Sequence, residues 1–264
     1  MTARDALDAA TTALEAAGCR TPRLDAELLI ADALGVEREQ LILEPDMEIP
    51  PAAARVIAER VRRRNEREPV AYILGKKGFR NIELKIDPRA LVPRPESELL
   101  VEAALDLPEG ARVHDVGTGS GAIALALLHE RPDLHVTASE LSPDAAALAR
   151  ENAERLGLAL EVEVADGLPP GDYDLVIANL PYVRDDEWDE LMPEINRYEP
   201  RVALTAGEDG LDSIRALVST APSGTRLALE HSGDQAEAVR AMLDDAVSYP
   251  DLATWDRITV GRVP

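Results

Sequence analysis

This chain of 264 residues lacks the residues that disulfide bonds, a large aromatic core or a membrane span would require. It has one cysteine, Cys19, so it forms no internal disulfide bond, which is typical of proteins in the reducing cytosol. Two Trp, five Tyr and one Phe are its only aromatic residues, so Ala, Leu, Val and Ile have to build the core. No apolar run approaches the roughly 18 residues that a membrane span needs. The N-terminus lacks the apolar stretch of a signal peptide. We therefore expect a cytoplasmic protein without a membrane segment.

The sequence also lacks the spacing of a metal site. The histidines show no ligand spacing with one another or with Cys19; they are His114, His129, His135 and His231. We expect no metal and interpret the histidines as structural.

Positive charge is scarce and unevenly placed, within a net charge of −22. Residues 1–90 hold 15 Lys and Arg against 16 Asp and Glu, whereas residues 91–264 hold 13 against 34. This shift predicts a domain boundary near residue 90. A strongly acidic domain repels a phosphate backbone, so no direct binding of nucleic acid is expected. One basic cluster, within residues 60–67, is interpreted as a solvated helix face, with a docking patch for an acidic partner or RNA as the alternative.

Helices are predicted for the first 70 residues, over 3–17, from Pro22 to Gly35, over 50–67 and over 69–75. The period then changes, because Ile82, Leu84 and Ile86 alternate with polar residues as in a half-buried strand. Residues 90–92 are predicted to return as its hairpin partner.

From about residue 111 short apolar strands alternate with helices. Strands are predicted over 112–116, 134–139, 160–164, 174–178, 226–230 and 257–260, and helices over 122–130, 144–156, 211–218 and 235–243. Such alternation predicts an α/β fold with a mostly parallel sheet, whose ligands bind at the carboxyl ends of the strands.

A glycine-rich loop, DVGTGSG at residues 115–121, follows the first of these strands. Its glycines allow a tight turn and close approach of the backbone to a ligand. The loop also satisfies the dinucleotide pattern, but Asp115 lies two residues before its first glycine. A carboxylate there favours the cationic S-adenosylmethionine and disfavours a pyrophosphate. We therefore predict that Asp115, Gly117, Thr118, Gly119, Ser120 and Gly121 bind S-adenosylmethionine.

Acidic residues end the next two strands. Glu140 is placed to accept hydrogen bonds from both ribose hydroxyls of the cofactor. Asp166 suits the exocyclic amine of adenine, and Gly167 leaves space beside it; a solvated turn is the alternative for this pair.

The fourth strand ends in NLPY at residues 179–182. An amide nitrogen is a poor nucleophile, because its lone pair is delocalised into the carbonyl. Two acceptors can orient it: the Asn179 side-chain oxygen and a backbone carbonyl of the turn. Tyr182 supplies a ring against a planar substrate group. In-line displacement then requires proximity more than acid–base catalysis.

The chain resembles the HemK/PrmC glutamine-N5 methyltransferases of release factors over nearly its whole length. The matching motifs are EPVAYILG at 68–75, VPRPESE at 92–98, the glycine loop, YEPR at 198–201, GEDGLD at 207–212 and Asp256-Arg257. The family usually has proline where this chain has Leu180, threonine at Ser97 and aspartate at Glu140.

The resemblance implies a helical substrate-recognition domain (1–77), a β-hairpin linker (78–92) and a seven-stranded Rossmann-like methyltransferase domain (93–264). It implies methylation of the glutamine in a Gly-Gly-Gln loop of peptide-chain release factors. Cofactor roles carry over to Gly117–Gly121, Glu140, Gly167 and Asn179, and substrate roles to Asn179, Leu180, Pro181 and Tyr182, of which Asn179, Pro181 and Tyr182 are expected to be catalytic.

Three alternatives stay open. A related methyltransferase acting on a ribosomal-protein glutamine or a nucleobase amine also fits the NLPY turn. A nicotinamide-dependent oxidoreductase fits the glycine loop but leaves that turn unexplained. Leu180 is the one motive for considering an inactive relative.

Overall fold

Helices make up the N-terminal part of the chain, as predicted. The computed structural model describes all residues, 1–264, and separates them into two units. The first, the helical unit, comprises Met1–Gly75 together with Met192–Tyr198, which we call the returning segment. Its helices are α1 (Ala3–Ala16), α2 (Pro22–Leu34), α3 (Arg38–Leu43), α4 (Pro51–Asn65), α5 (Val70–Leu74) and, in the returning segment, α9 (Pro193–Asn196). No helix in either unit has the length and apolarity needed to span a bilayer.

Local sequence explains how α1 begins and how the unit is packed. The Asp5 carboxylate accepts a hydrogen bond from the Thr2 backbone N–H, and the Thr2 hydroxyl accepts one from the Asp5 backbone N–H. The two bonds form a capping box. Small and aliphatic side chains fill the core, including Leu14, Ile30 and Leu41.

Ion pairs hold the returning segment to the helices of this unit. The buried Arg64 donates to Asp25 at 2.7 Å and to Glu194 at 2.7 Å. Arg67 donates to both oxygens of Glu194 at 2.9 and 2.6 Å. The prediction that the whole basic cluster is a solvated helix face is therefore wrong for Arg64, whose guanidinium fork reaches two carboxylates at once.

Replacing Arg64 by lysine is expected to lower the free energy of unfolding by about 1–3 kcal/mol, because one ammonium cannot replace the guanidinium fork that reaches the buried Asp25 and the half-buried Glu194. Arg62→Lys is the matched control, since Arg62 is 55% exposed beside Glu59 and Glu66. It should change stability by less than about 0.5 kcal/mol. Urea unfolding of both variants measures the difference, and equal effects would contradict this account.

The hairpin at the start of the second unit differs from the prediction. Strand β2 (Ile82–Lys85) pairs antiparallel with β1 (Lys76–Phe79), so that Phe79 faces Ile82 across a turn at Arg80 and Asn81. Residues 90–92 form no strand. The preceding strand escaped prediction because its residues, KKGF, lack an apolar alternation.

A seven-stranded sheet forms the centre of the second unit. Its strands are β3 (Arg112–Val116), β4 (His135–Glu140), β5 (Glu161–Val164), β6 (Leu175–Ala178), β7 (Arg226–Glu230), β8 (Asp244–Pro250) and β9 (Asp256–Arg262). Its helices are α6 (Glu98–Leu105), α7 (Ala122–Glu130), α8 (Pro143–Leu156), α10 (Asp212–Thr220) and α11 (Ala236–Arg240). The strand order is β5-β4-β3-β6-β7-β9-β8; the first five strands are mutually parallel and β9 is antiparallel to both its neighbours. The α/β fold with a mostly parallel sheet is thus confirmed.

The parallel arrangement determines where a site can form. Strands β3, β4, β6 and β7 run in one direction, so their carboxyl ends meet at one edge of the sheet. The glycine loop, Glu140, the NLPY turn and Glu230 all lie at these ends.

Candidate active site

A cavity of about 610 Å³ opens at this edge of the sheet. The predicted residues that line it are Gly117, Thr118, Gly119, Ser120, Glu140, Asp166, Gly167, Asn179, Leu180 and Pro181. Three predicted residues, Asp115, Gly121 and Tyr182, do not line it. The structure therefore brings together most of the predicted cofactor and substrate residues in one place.

The glycine loop adopts a backbone that favours glycine. Gly117, Gly119 and Gly121 have φ values of 72°, 57° and 85°, in the left-handed region. The Gly119 N–H donates to Glu140 at 2.9 Å. A Cβ on Gly119 would meet no atom closer than Ala90 at 4.0 Å, so it would project into open space. The loop thus presents bare backbone to the cavity.

Asp115 lies beneath the loop. It has no exposed surface, and one of its oxygens accepts from the Thr118 hydroxyl at 2.6 Å while the other has no partner. Burial raises its pKa to about 7. In this position Asp115 stabilises the loop through its hydrogen bond with Thr118. Its role beside a cofactor cation stays a prediction.

Gly121 serves packing. A Cβ there would lie 2.9 Å from a methyl of Leu125 and 3.3 Å from Ala149, which is closer than side chains normally approach. This glycine therefore lets helix α7 start tightly behind the loop.

The Glu140 carboxylate has unused hydrogen-bond acceptor positions. Its carboxylate accepts from the backbone N–H groups of Gly119 and Ser142, each at 2.9 Å. A carboxylate offers about four acceptor positions, so about two remain for a ligand. Since Glu140 lines the cavity, they suit the two hydroxyls of a ribose.

Asp166, which is exposed, and Gly167 also line the cavity. The Gly167 carbonyl accepts from the Ser139 hydroxyl at 2.8 Å, and nothing lies within 4 Å of a Cβ built on Gly167. This free space agrees with the predicted adenine position, which no contact in the structure tests.

In the NLPY turn, the Asn179 side chain has a defined orientation. Its Nδ2 donates to the buried Ser97 hydroxyl at 2.9 Å, which leaves Oδ1 free to accept a hydrogen bond. Leu180 lies beside the glycine loop, because a Cβ on Gly117 would be 3.1 Å from its side chain.

Tyr182 is held behind the cavity. Its hydroxyl donates to Glu230 at 3.2 Å, its backbone carbonyl accepts from Gln235 at 2.9 Å, and burial raises the pKa of its phenol. A Cβ on Gly210 would lie 2.1 Å from the Tyr182 carbonyl oxygen, so only glycine fits there. Tyr182 therefore supports the turn from behind.

Sequence reasoning assigned no role to Ser97, Glu230 or the pair Arg94 and Glu199. Glu199 is buried and accepts from Arg94, a cavity residue, at 2.6 Å, and burial raises its pKa. Arg94, Ser97 and Glu199 lie in the motifs VPRPESE and YEPR, which indicated the family without indicating these contacts, and Glu230 is an acidic residue that ends the strand next to the one carrying Asn179.

Two family profiles match successive parts of the chain. Residues 5–75 match the PrmC N-terminal domain, and residues 95–196 match the methyltransferase small domain. Among solved structures, the hMettl16 catalytic domain in complex with MAT2A 3′UTR hairpin 6 is similar to this chain with a TM-score of 0.54. It is 14% identical over 69% of this chain and 75% of that one, which supports the fold alone.

Curated relatives are similar over their full length. A release factor glutamine methyltransferase of Cereibacter sphaeroides is 41% identical over 277 residues, which cover 100% of this chain and 99% of the relative. One of Vibrio cholerae is 38% identical over 282 residues, covering 99% and 97%. Identity at this level over whole chains shows common family membership. The chain therefore belongs to the family of release factor glutamine methyltransferases.

Proposed function

We propose that this protein transfers a methyl group from S-adenosylmethionine to the side-chain amide nitrogen of the glutamine in the Gly-Gly-Gln motif of peptide-chain release factors. The observation that carries the proposal is the placement of Asn179. Asn179, whose side-chain oxygen is free to accept a hydrogen bond, lines the same cavity as the glycine loop and Glu140. The names of the relatives support the substrate.

The cavity residues fit the cofactor. When bound, S-adenosylmethionine supplies an electrophilic methyl group on a sulfonium. The backbone of residues 117–120 offers close approach, Glu140 has acceptor positions for the ribose, and Asp166 and Gly167 suit the adenine. The acidic side chains near the loop also favour a cation.

The chain's own contribution to catalysis is to orient the substrate amide. Asn179 Oδ1 accepts one hydrogen of the substrate NH₂, and the Leu180 backbone carbonyl accepts the other. With both hydrogens held, the nitrogen lone pair is directed out of the amide plane towards the methyl group. Preorganised acceptors in a cavity make this orientation effective.

We assign substrate selection to residues 1–77, a linking role to residues 78–92 and methyl transfer to residues 93–264. Residues 1–77 have a net charge of −2, and they carry none of the cofactor residues. The single cysteine, free and buried, and a release-factor substrate favour the cytoplasm.

A nucleobase amine is a weaker candidate substrate. The feature that favoured it was the arginine cluster of α4 and its neighbourhood. Each of these guanidinium groups pairs with a carboxylate of the helical unit: Arg60 with Asp32, Arg62 with Glu59 and Glu66, Arg63 with Glu68, and Arg64 and Arg67 with Glu194. The cluster therefore has little free positive charge for a phosphate backbone.

Incubation with labelled S-adenosylmethionine and purified release factor tests the function. We expect label on the glutamine of the Gly-Gly-Gln motif, located by mass spectrometry, and none on a release factor with that glutamine replaced by alanine. Label on an adenine-containing oligonucleotide and none on release factor would refute the proposal.

Leu180→Pro is expected to raise kcat by roughly two- to fivefold. Proline fixes φ and so holds the carbonyl that accepts the second amide hydrogen, whereas Leu180 is restricted only by the proline that follows it. Cofactor affinity should stay nearly the same, because the gain comes from preorganisation. Parallel kinetics on one release factor measure this. A slower Leu180→Pro enzyme would show that the contact between Leu180 and the glycine loop matters more.

A further inference from the structure

Two buried side-chain amides lie behind the walls of the cavity. Asn152 on α8 and Gln235, which directly precedes α11, are 1% and 3% exposed, and neither lines the cavity. In each, the NH₂ donates to two backbone carbonyls and the oxygen accepts from one backbone N–H. A side-chain amide has two N–H donors, so both donors of each residue are used. Because their chemistry is the same, the two residues can be compared directly.

Asn152 ties the glycine loop to the hairpin. Its Nδ2 donates to the Ser120 carbonyl at 2.9 Å and to the Lys85 carbonyl at 3.0 Å, and its Oδ1 accepts from the Lys85 N–H at 2.7 Å. Ser120 is a buried residue of the loop and lines the cavity. Lys85 ends β2, and the chain that follows it lines the cavity at residues 89–91. One side chain therefore holds two parts of the wall.

Gln235 ties the NLPY turn to the GEDGLD segment. Its Nε2 donates to the backbone carbonyls of Tyr182 and Asp209, each at 2.9 Å, and its Oε1 accepts from the Ser232 N–H at 3.0 Å. Asp209 lies three residues before the start of α10, and both the NLPY turn and the start of α10 line the cavity. Gln235 therefore holds two other parts of the wall, on the side of the predicted substrate residues.

The loss of either amide would act on the segments that it holds. A backbone carbonyl that loses its donor away from water is costly, so the segment would shift until the carbonyl finds another partner. For Asn152 the shift would fall on the loop that presents its backbone to the cofactor. For Gln235 it would fall on the turn that carries Asn179. Small displacements of groups that bind or orient a ligand have large effects on affinity or rate.

We propose that two residues divide the positioning of this site: Asn152 holds the glycine loop for S-adenosylmethionine, and Gln235 holds the NLPY turn for the substrate amide. Both are positioning residues, since neither lines the cavity. The part that concerns Gln235 rests on the function proposed above. The part that concerns Asn152 requires only that the cofactor binds.

The test compares Asn152→Ala with Gln235→Ala. Asn152→Ala should weaken S-adenosylmethionine binding about tenfold in calorimetry, the scale of one hydrogen bond, and its loss of activity should appear mainly in the KM for S-adenosylmethionine. Gln235→Ala should bind S-adenosylmethionine as the parent does and lower kcat on release factor about tenfold. Each variant removes three hydrogen bonds of one buried amide, so each is the control for the other.

The opposite pattern of losses would contradict the division. Equal losses of affinity and of kcat in both variants would overturn the proposal, because general destabilisation acts on both quantities. Parent-like affinity in Asn152→Ala, or weakened affinity in Gln235→Ala, would also overturn it. Urea unfolding checks that the variants are folded. If an alanine variant does not fold, Asn152→Asp and Gln235→Glu replace the pair, since they keep the size and lose the NH₂.

Hydrogen exchange of the ligand-free protein separates this proposal from the proposed function. The backbone amides of Gly117 and Gly121 in the loop, and of Val183 after the turn, are hydrogen-bonded, so their exchange reports on each segment. Asn152→Ala should speed exchange about tenfold in the loop alone, and Gln235→Ala after the turn alone.

If the parent leaves release factor unmethylated, the proposed function fails, and exchange together with calorimetry still decides whether the two segments are held separately. Faster exchange in both segments of either variant would overturn the proposal.

Discussion

Replacing Gly119 by valine is expected to weaken S-adenosylmethionine binding by more than about 100-fold, beyond detection in most titrations. Gly119 has a φ of 57°, which a β-branched side chain adopts only with strain. Its N–H donates to Glu140, so a shifted backbone would also disturb the predicted ribose site. The valine side chain would project into the cavity. Isothermal titration calorimetry with S-adenosylmethionine measures the loss.

Gly157→Val is the matched control for this prediction. Gly157 has a φ of 67° at the end of α8, nothing lies within 4 Å of a Cβ built on it, and it does not line the cavity. The same substitution there imposes a similar backbone strain without filling the site. We expect reduced stability with near-parent cofactor affinity. An equal loss of affinity in both variants would mean that strain, and not the position of Gly119, is responsible.

Replacing Asn179 by alanine is expected to slow methyl transfer by about 10²–10³-fold, the effect of removing a preorganised group that orients or stabilises the reacting atoms. The side-chain oxygen is free for a substrate because Nδ2 is held by Ser97, and alanine removes both groups. Rates at saturating S-adenosylmethionine and release factor measure the loss.

Two further variants delimit the role of Asn179. Asn179→Asp should not restore the rate fully, because it loses the NH₂ that donates to Ser97 and adds a charge beside the sulfonium. Asn81→Ala, at an exposed position in the same unit, should stay within about twofold of the parent, since surface substitutions have small effects. A rate for Asn179→Ala within twofold of the parent would refute the assignment.

Much of the second unit could be predicted from local patterns. Strands β3 and β7 have the predicted bounds, because buried parallel strands appear as short apolar runs bounded by polar residues. The glycine loop was recognisable because its backbone conformation restricts the residue type. Strand β8 was missed because most of its residues are exposed, and its pairing with β9 gives it order. Helix α6 was not predicted, because the proline-rich segment PRP before it favours extended backbone.

The groups that support the site could not be predicted in the same way. Asn179 and Ser97 are 82 residues apart in sequence, and Tyr182 and Glu230 are 48 apart. No spacing rule connects such pairs, because the tertiary fold brings them together. Residues that face a ligand can be recognised in a single sequence, because the chemistry of the ligand restricts their types. The residues that support them from a second layer are harder to recognise.

The composition of the helical unit affects how this enzyme can be recombined with its relatives. Residues 192–198 fold with residues 1–75 through Glu194, although a long stretch of sequence separates them. A chimera that exchanges only the N-terminal 75 residues would combine foreign helices with a native returning segment. Unless the incoming helices supply equivalents of Arg64 and Arg67, Glu194 would be left without its partners. Where they do not, exchange of substrate preference between relatives should require three crossovers, one near residue 75 and one on each side of residues 192–198, and natural recombination at a single point near residue 75 should be counterselected.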